Sequence, residues 1–302
     1  TFCQSSWSMQ RMSGAPEVSI LISVFNQLDY TRRCLEALER TLTGKLSYEV
    51  IVVDDASRDG VAEYLGDLNE PYRVLFNEER KGFAINNNLA AREARGEFLC
   101  FLNNDVFVEG DWFLPMLTVL KEKKDVGMVG NVQRLVRNGR YDHMGVVFAP
   151  QGNPRHYGQG FLHRPFKGEV REWSAVTAAC CACRREVFRE LGGFDEVYLN
   201  GCEDVDLCLR MQKQGLRHFV VHDSVVLHVK GATEGRKAHN DRNAQILLER
   251  WGDEVRADQA VRDQVLHAGT YLWRGLTRPW SCHAGKLLEA LLLVLRLKRL
   301  KK

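Results

Sequence analysis

The chain has 302 residues, 45% of them hydrophobic and 27% charged, the profile of a folded globular protein with material for one large α/β core or two modest ones. Its 42 basic and 39 acidic residues leave a formal charge of +3, too small a surplus to favour nucleic acid as a partner, so an anionic ligand must be met by a local cluster. No apolar run reaches the ~18 to 20 residues of a membrane span, the first seventeen residues lack a secretory apolar core, and the nine cysteines are scattered, which together read as a cytoplasmic, reducing setting with free thiols.

Residues 1–16 read as an N-terminal extension, and after them β-branched apolar runs alternate with helical patterns. EVSILISVF (17–25) predicts a strand, followed by a helical pattern from about Tyr30 to Leu42. YEVIVVDD (48–55) and RVLFN (73–77) predict two more strands. A helix rich in Ala and Asn is expected over 83–95, then a strand within EFLCFLNND (97–105). This alternation implies an α/β fold with a mostly parallel central sheet and helices on both faces. Ligands of such sheets lie beyond the carboxyl ends of the strands. Those ends are polar throughout: Asn26 and Gln27, Asp54 and Asp55, Asn77, then Asn103, Asn104 and Asp105. SVFNQLDY after the first strand contains no glycine and no P-loop occurs, which argues against a dinucleotide or an ATP-hydrolysing site.

Further along, Cys180, Cys181 and Cys183 include a CxxC spacing, but no second ligand pair accompanies it, so small buried residues are the expectation. The chain closes with KLLEALLLVLRLKRLKK (286–302). Its apolar stretch and basic tail fit an interfacial helix on an anionic leaflet and a plain helix packed on the body equally well.

Four pieces in order, VSILISVFN, EVIVVDDASRDG, NEERKGFAINNNLAAREARGEFLCFLNND, and LGGFDEVYLNGCEDVDLCLRMQKQG followed by VVLH, resemble the inverting glycosyltransferases of family 2. The resemblance implies a Rossmann-like GT-A fold over about 17–235. Residues 17–105 form a nucleotide-sugar half, 106–235 an acceptor half, and 236–302 a C-terminal helical region. It further implies transfer of a sugar from a UDP- or dTDP-sugar to a hydroxyl of a glycan or lipid-linked glycan in cell-surface polysaccharide synthesis.

A diphosphate leaving group needs its charge neutralised, and the resemblance supplies a divalent metal, Mn2+ or Mg2+, for that purpose. NND stands at the family's Asp-x-Asp motif with Asn103 in place of the first acid, so Asp105 is the one anionic ligand of this loop. His228 falls where a metal-binding histidine is expected. On the donor side, Asp54 is to accept the base imide N–H and Asn26 is to flank the base. Arg80 or Lys81 is to meet phosphate or base, Asn87 matches the family's helix amide, Asn103 is to offer an amide oxygen to the metal or a hydrogen bond to the ribose, and Asn104 joins it on the donor side. Lys230 and Arg236, in the basic stretch after His228, are to close over the diphosphate.

The general base is expected in the pair Glu203–Asp204, with Asp204 preferred and Glu203 orienting the acceptor. Asp206 and Arg210 have the spacing of a helical ion pair. Tyr157 and Trp173 serve as core aromatics or as stacking platforms for a sugar. Two other readings remain at this level. A nucleotidyltransferase would carry a Gly-rich basic loop after the first strand, which SVFNQLDY lacks. A catalytically inactive sugar-nucleotide-binding relative is suggested by the lost acid, against the retention of Asp105, Glu203, Asp204 and His228.

Overall fold

The computed structural model describes residues 15–231 and 239–300. Its first half runs β1 (Val18–Val24), α1 (Leu28–Leu42), β2 (Tyr48–Asp54), α2 (Val61–Gly66), β3 (Tyr72–Phe76), α3 (Phe83–Glu93) and β4 (Phe98–Leu102). The strands fall on the predicted runs. Helix α2 does not appear among the expected elements, because its six residues are too few to display a helical period; Val61 and Leu65 bury its inner side. β1 pairs in parallel with β2 and β4, and β2 with β3. Such strands are covered on both faces, which is why they read as unbroken apolar runs. Alternate side chains sort into two cores: Ile20, Ile22, Val50 and Val52 pack with Leu35 and Leu38 of α1, while Leu21, Ile51 and Val53 pack with Ala84, Ala90 and Ala91 of α3.

The second half continues as β5 (Val106–Phe107), α4 (Leu114–Glu122), β6 (Val126–Leu135), β7 (Tyr141–His143), β8 (Val146–Phe148), β9 (Pro154–His156), β10 (Val170–Trp173), β11 (Cys180–Arg184), α5 (Arg185–Glu190), α6 (Glu203–Lys213) and β12 (Arg217–His228). The strand order is β10-β12-β6-β11-β4-β1-β2-β3. β11 is antiparallel to both β4 and β6, and β12 is parallel to β6, so β4, β6 and β12 all point the same way. Their carboxyl ends therefore meet at one edge, where the polar strand ends of the first half also stand. The cysteines of β11 are buried sheet residues, Cys181 and Cys183 in one core and Cys180 in the other. Burial, then the neighbouring Cys183, pushes the Cys181 thiol well up. Tyr157 and Trp173 are buried with ring centroids 4.9 Å apart, which makes them core residues in this structure.

The described C-terminal part is helical. α7 (Asn240–Asp258) continues through a π-helical turn at Gln259–Asp263 into α8 (Gln264–Thr277), and a short turn at Pro279–Ser281 leads to α9 (Ala284–Val294). α9 buries Ala290 and Leu293 against Ala268 of α8 and leaves Leu288 and Leu291 exposed. One face thus packs on the body, and the opposite face keeps the apolar side chains that an interfacial helix requires. Among the described residues, no helix is long and apolar enough to cross a membrane.

Asp263 fixes these helices to the body, because its Oδ2 accepts hydrogen bonds from Phe148 N at 2.7 Å and Ser174 Oγ at 3.0 Å. Burial and the charge of Asp258 push its pKa up to about 7, against the lowering pull of the two donors. A carboxyl raised in the fold binds its proton more tightly there than in the unfolded chain. Its stabilisation is complete below the unfolded value of about 4 and is lost as the pH rises through 7. Asp263→Asn keeps an acceptor oxygen and carries no charge. We expect the variant to lie within about 1 kcal/mol of wild type at pH 4.5 and to exceed it by on the order of 2–4 kcal/mol at pH 8. Urea melts at the two pH values check this, and a stability difference that does not change with pH sinks it.

Candidate active site

The site begins where β4 stops. Asn103 donates its backbone N–H to Ala179 O at 2.9 Å, and Asn104 Nδ2 donates to Thr31 Oγ1 of α1 at 3.0 Å, so the first is held through its backbone and the second through its side chain, and both line the cleft. Asp105 follows. β12 is antiparallel to β5 with His228 opposite Val106, and Val229 N donates to Asp105 O at 3.0 Å. This register brings the two expected metal ligands together: His228 Nε2 faces Asp105 Oδ1 at 3.2 Å, with both side chains buried.

The other ring nitrogen, His228 Nδ1, lies 2.9 Å from Gln133 Oε1. An amide oxygen only accepts, so the Gln133 contact puts a hydrogen on Nδ1, and in the neutral ring the Nε2 lone pair is then turned toward the carboxylate. His228 Nε2 makes no hydrogen bond of its own. Two electron-rich atoms at this distance in a buried place repel each other unless a proton or a metal cation lies with them. The donor set of one carboxylate oxygen and one imidazole nitrogen therefore fits a divalent cation, and it suits Mn2+ better than Mg2+, which takes oxygen almost exclusively. Among the described residues no group of three or more ligating side chains is present, so water and the phosphates of a ligand would complete the sphere. Gln133 escaped the sequence reading. Its signal was available, since Asn131 and Gln133 are polar residues within the otherwise apolar buried strand VGMVGNVQRL.

Across the cleft stands the start of α6. Asp204 Oδ2 accepts from Ala178 N at 3.0 Å, and Glu203 Oε2 accepts from Gly201 N at 2.5 Å. Asp204 is half-buried with a face to the cleft, whereas Glu203 is 6% exposed and turned back on the loop before its own helix. The segment Thr177–Ala179 joins the two centres, because Ala178 holds Asp204 and Ala179 holds Asn103. Behind them the expected pair forms, with Arg210 Nε 2.8 Å from Asp206 Oδ2. Arg210 also donates to Leu191 O and Gly193 O, and Trp251 Nε1 donates to Asp206 Oδ1 at 2.8 Å, so this ion pair holds the loop 191–202 in place. Gly193 has φ +77, and a Cβ there would meet Asn88 Oδ1 at 2.5 Å, which explains one glycine of LGGFDE without any chemistry.

Several expected donor-side residues are placed otherwise. Asp54 ends β2 buried, its Oδ1 accepting from Ser57 N at 3.2 Å, and it is Asp55 that fronts the cleft. The turn with Ser57 therefore belongs to Asp54. Asp55 accepts from Asn77 Nδ2, Lys81 N and Gly82 N at 3.0, 2.7 and 3.0 Å, shaping the loop before α3. Asn26 is a loop staple: its Oδ1 accepts from Arg58 N at 2.8 Å, and Ser23 and Phe25 line the cleft instead. Lys81 points to solvent while Arg80 lines the cleft, its guanidinium 4.0 Å over the Phe25 ring.

Asn87 is buried in α3 and returns its Nδ2 to Phe83 O at 2.9 Å, so the work expected of it is done inside its own helix. Asn86 is the amide that ties α3 to the strand ends, through Ser23 Oγ and Asn77 Nδ2. Lys230 is spent on Asp142, with Nζ 2.8 and 2.6 Å from its two oxygens, and Gly231 after it lines the cleft. Burial would raise the Asp142 carboxyl, but His156 and Lys230 hold it well below the usual carboxylate range. Arg236 lies outside the described residues.

A mixed, mostly parallel sheet with helices on both faces, and a polar cleft beyond the carboxyl ends of β1, β4 and β12, define the GT-A class of α/β fold. The chain belongs to glycosyl transferase family 2, whose family model matches residues 19–192. It is 33% identical over 228 residues to the O-antigen biosynthesis protein RfbC of Myxococcus xanthus, a match covering 73% of this chain and 18% of that protein. It is also 30% identical over 276 residues to an uncharacterised protein of Sinorhizobium fredii, covering 84% and 30%. The chain thus spans under a third of the length of either relative. Among solved structures it resembles GalNAc-T7 with UDP, GalNAc and Mn2+, with a TM-score of 0.63, 17% identity, and coverage of 83% of this chain and 52% of that one.

Proposed function

We propose that the chain is a metal-dependent inverting glycosyltransferase that moves a sugar from a UDP- or dTDP-sugar to a hydroxyl of a glycan or lipid-linked glycan during cell-surface polysaccharide synthesis. The observation that carries this reading is the convergence of the buried Asp105–His228 pair, at 3.2 Å, and of Asp204 on one cleft of a family 2 chain. The name of the Myxococcus relative supports the polysaccharide setting. In this reading residues 17–105 supply the donor half, 106–235 the acceptor half, and 236–302 a helical appendage.

Asp105 and His228 would hold Mn2+ or Mg2+, which when bound neutralises the charge that grows on the diphosphate as the glycosidic bond breaks. Asp204 takes the proton from the acceptor hydroxyl as that oxygen attacks the anomeric carbon from the face opposite the diphosphate. The Ala178 N–H keeps its carboxylate from rotating away. Asn103 and Asn104 offer amide groups to the ribose, and Asp54 or the cleft-facing Asp55 answers the base imide. Lys230 is engaged by Asp142, so a part in closing over the diphosphate would require it to exchange that partner.

The nucleotidyltransferase alternative needs a phosphate-cradling loop after β1. That loop is instead tied down by Asn26, Ser57 and Arg58. The donor is tested by thermal shift in the presence of Mn2+. UDP and dTDP at about 100 times their Kd should add about 2.7 kcal/mol of stability, with GDP giving far less. An equal or larger response to GDP removes the pyrimidine assignment, and no response to any nucleoside diphosphate with Mn2+ removes the donor reading altogether.

A further inference from the structure

A second cleft lies between the β8–β9 hairpin and the helices α8 and α9, with a volume of about 310 Å³. Its floor is apolar, made by Val147, Ala268, Ala290 and Leu293, all of them buried. Its mouth carries Arg155, Arg274, Arg278 and Lys286, drawn from the hairpin and from both helices. None of these four is ion-paired with a carboxylate among the described residues. The lining's one acid, Glu289, is already engaged by Lys298 at 2.7 Å. The whole chain has a surplus of only +3, so four unpaired cations around one opening are a deliberate concentration of charge. His267 lies in the same cleft, and its pKa is lowered to about 4 by burial first and by the charge of Arg155 second.

Exposed apolar side chains accompany the charge. Leu276, in the last turn of α8, is 81% exposed, and Trp280 is 82% exposed in the connection to α9 that also supplies the cleft residues Arg278 and Ser281. The cleft also communicates with the active site. His156 and Gln159 of its lining both reach Asp142, at 3.6 and 3.3 Å, and Asp142 in turn holds Lys230, the residue before Gly231 at the active-site rim.

We infer that this second cleft binds the phosphate or diphosphate group of an amphiphile, with the guanidinium groups on the phosphate and the apolar chain against the floor and the exposed Trp280. Guanidinium pairs suit phosphate because two N–H donors match two oxygens in one plane. Taken together with the proposed transferase activity, on which this step rests, the ligand is the phosphorylated end of the acceptor, anchored one relay away from Asp204.

Binding is measured by titration calorimetry with decyl phosphate below its micelle concentration, and with inorganic phosphate and decanol as partial probes. Wild type should bind decyl phosphate at least tenfold more tightly than inorganic phosphate and should not bind decanol. The double variant Arg274→Gln/Arg278→Gln should lose about a hundredfold, roughly tenfold for each charge-assisted contact. Arg299→Gln, outside the cleft, should change nothing. Vesicles containing phosphatidylglycerol then separate the sources: loss of vesicle binding in the double variant marks a bilayer headgroup, and retained vesicle binding marks a single phosphorylated amphiphile. Unaltered affinity for decyl phosphate in the double variant, or an equal loss in Arg299→Gln, overturns the inference. The UDP thermal shift of the same variants is read in parallel and should match wild type. Failure of donor binding in wild type would strike the transferase reading and leave the anion site standing.

Discussion

Asp204→Asn is expected to lower glycosyl transfer by about two to four orders of magnitude, the span of a positioned general base, while the affinity for the nucleotide sugar changes little. An amide oxygen can still accept from Ala178 N, so the bond that joins α6 to the segment beside Asn103 survives, while the amide nitrogen replaces the oxygen that accepts from Val205 N at 2.9 Å and the proton acceptor is lost. Glu203→Gln should cost less in transfer. Its carboxylate is more buried than that of Asp204 and accepts from Gly201 N, so its loss falls chiefly on the loop that shapes the helix start. Transfer rate and donor affinity, measured side by side for both variants, decide the matter. A large loss of donor binding in Asp204→Asn with normal transfer at saturating donor would move this residue to the donor side and end its assignment as base.

The difference between the two acids illustrates what a sequence can carry. Strand positions and their order were legible because a strand covered on both faces must be apolar throughout, and the polar residues that end it are then conspicuous. Position within a strand end was not. Asp54 and Asp55 are neighbours, and the two-residue period of β2 sends them to opposite faces: Asp54 sits with Val52 toward α1, and Asp55 with Val53 toward α3. Nothing in the sequence says which face fronts the cleft until the loop before α3 is in place. The three consecutive asparagines of α3 pose the same problem with a step of about 100°. Asn86 reaches the strand ends, Asn87 closes on its own helix, and Asn88 holds the backbone of Phe194.

Non-local pairing accounts for what else was hidden. The segment WSAVTAACCACRR (173–185) fell within the expected acceptor half, with its cysteines read as small buried residues, yet it supplies the antiparallel strand between β4 and β6 and the residues Ala178 and Ala179 that join the metal-side and base-side groups. An antiparallel insertion so far along the chain leaves no local signature, because its partners are chosen by register and not by its own composition. Lys230 was misplaced for a related reason. A lysine in a glycine-containing loop looks available, and the carboxylate that claims it, Asp142, is 88 positions away.

Asp105→Asn is expected to abolish most Mn2+-dependent transfer, by about a hundredfold or more, with the fold intact. Asp105 holds its place through backbone bonds to β12, so the amide fits the same space while the charge that a dication requires is gone. The partner residue should behave alike: His228→Asn removes the nitrogen ligand and raises the Mn2+ concentration needed for half-maximal transfer. Gln133→Leu makes the sharpest test because Gln133 is not itself a proposed ligand and acts only through His228. It deletes the acceptor that keeps the hydrogen on Nδ1 of His228, and with it the reason the Nε2 lone pair faces Asp105. Loss of such an orienting partner typically costs about 10- to 100-fold in metal affinity. Gln133→Leu should therefore show a raised Mn2+ requirement and recover near-normal turnover at saturating metal, whereas Asp105→Asn should not recover at any metal concentration. Wild-type Mn2+ dependence in Gln133→Leu would show that the tautomer of His228 is fixed by something else, and wild-type turnover in Asp105→Asn would remove the metal site from this cleft.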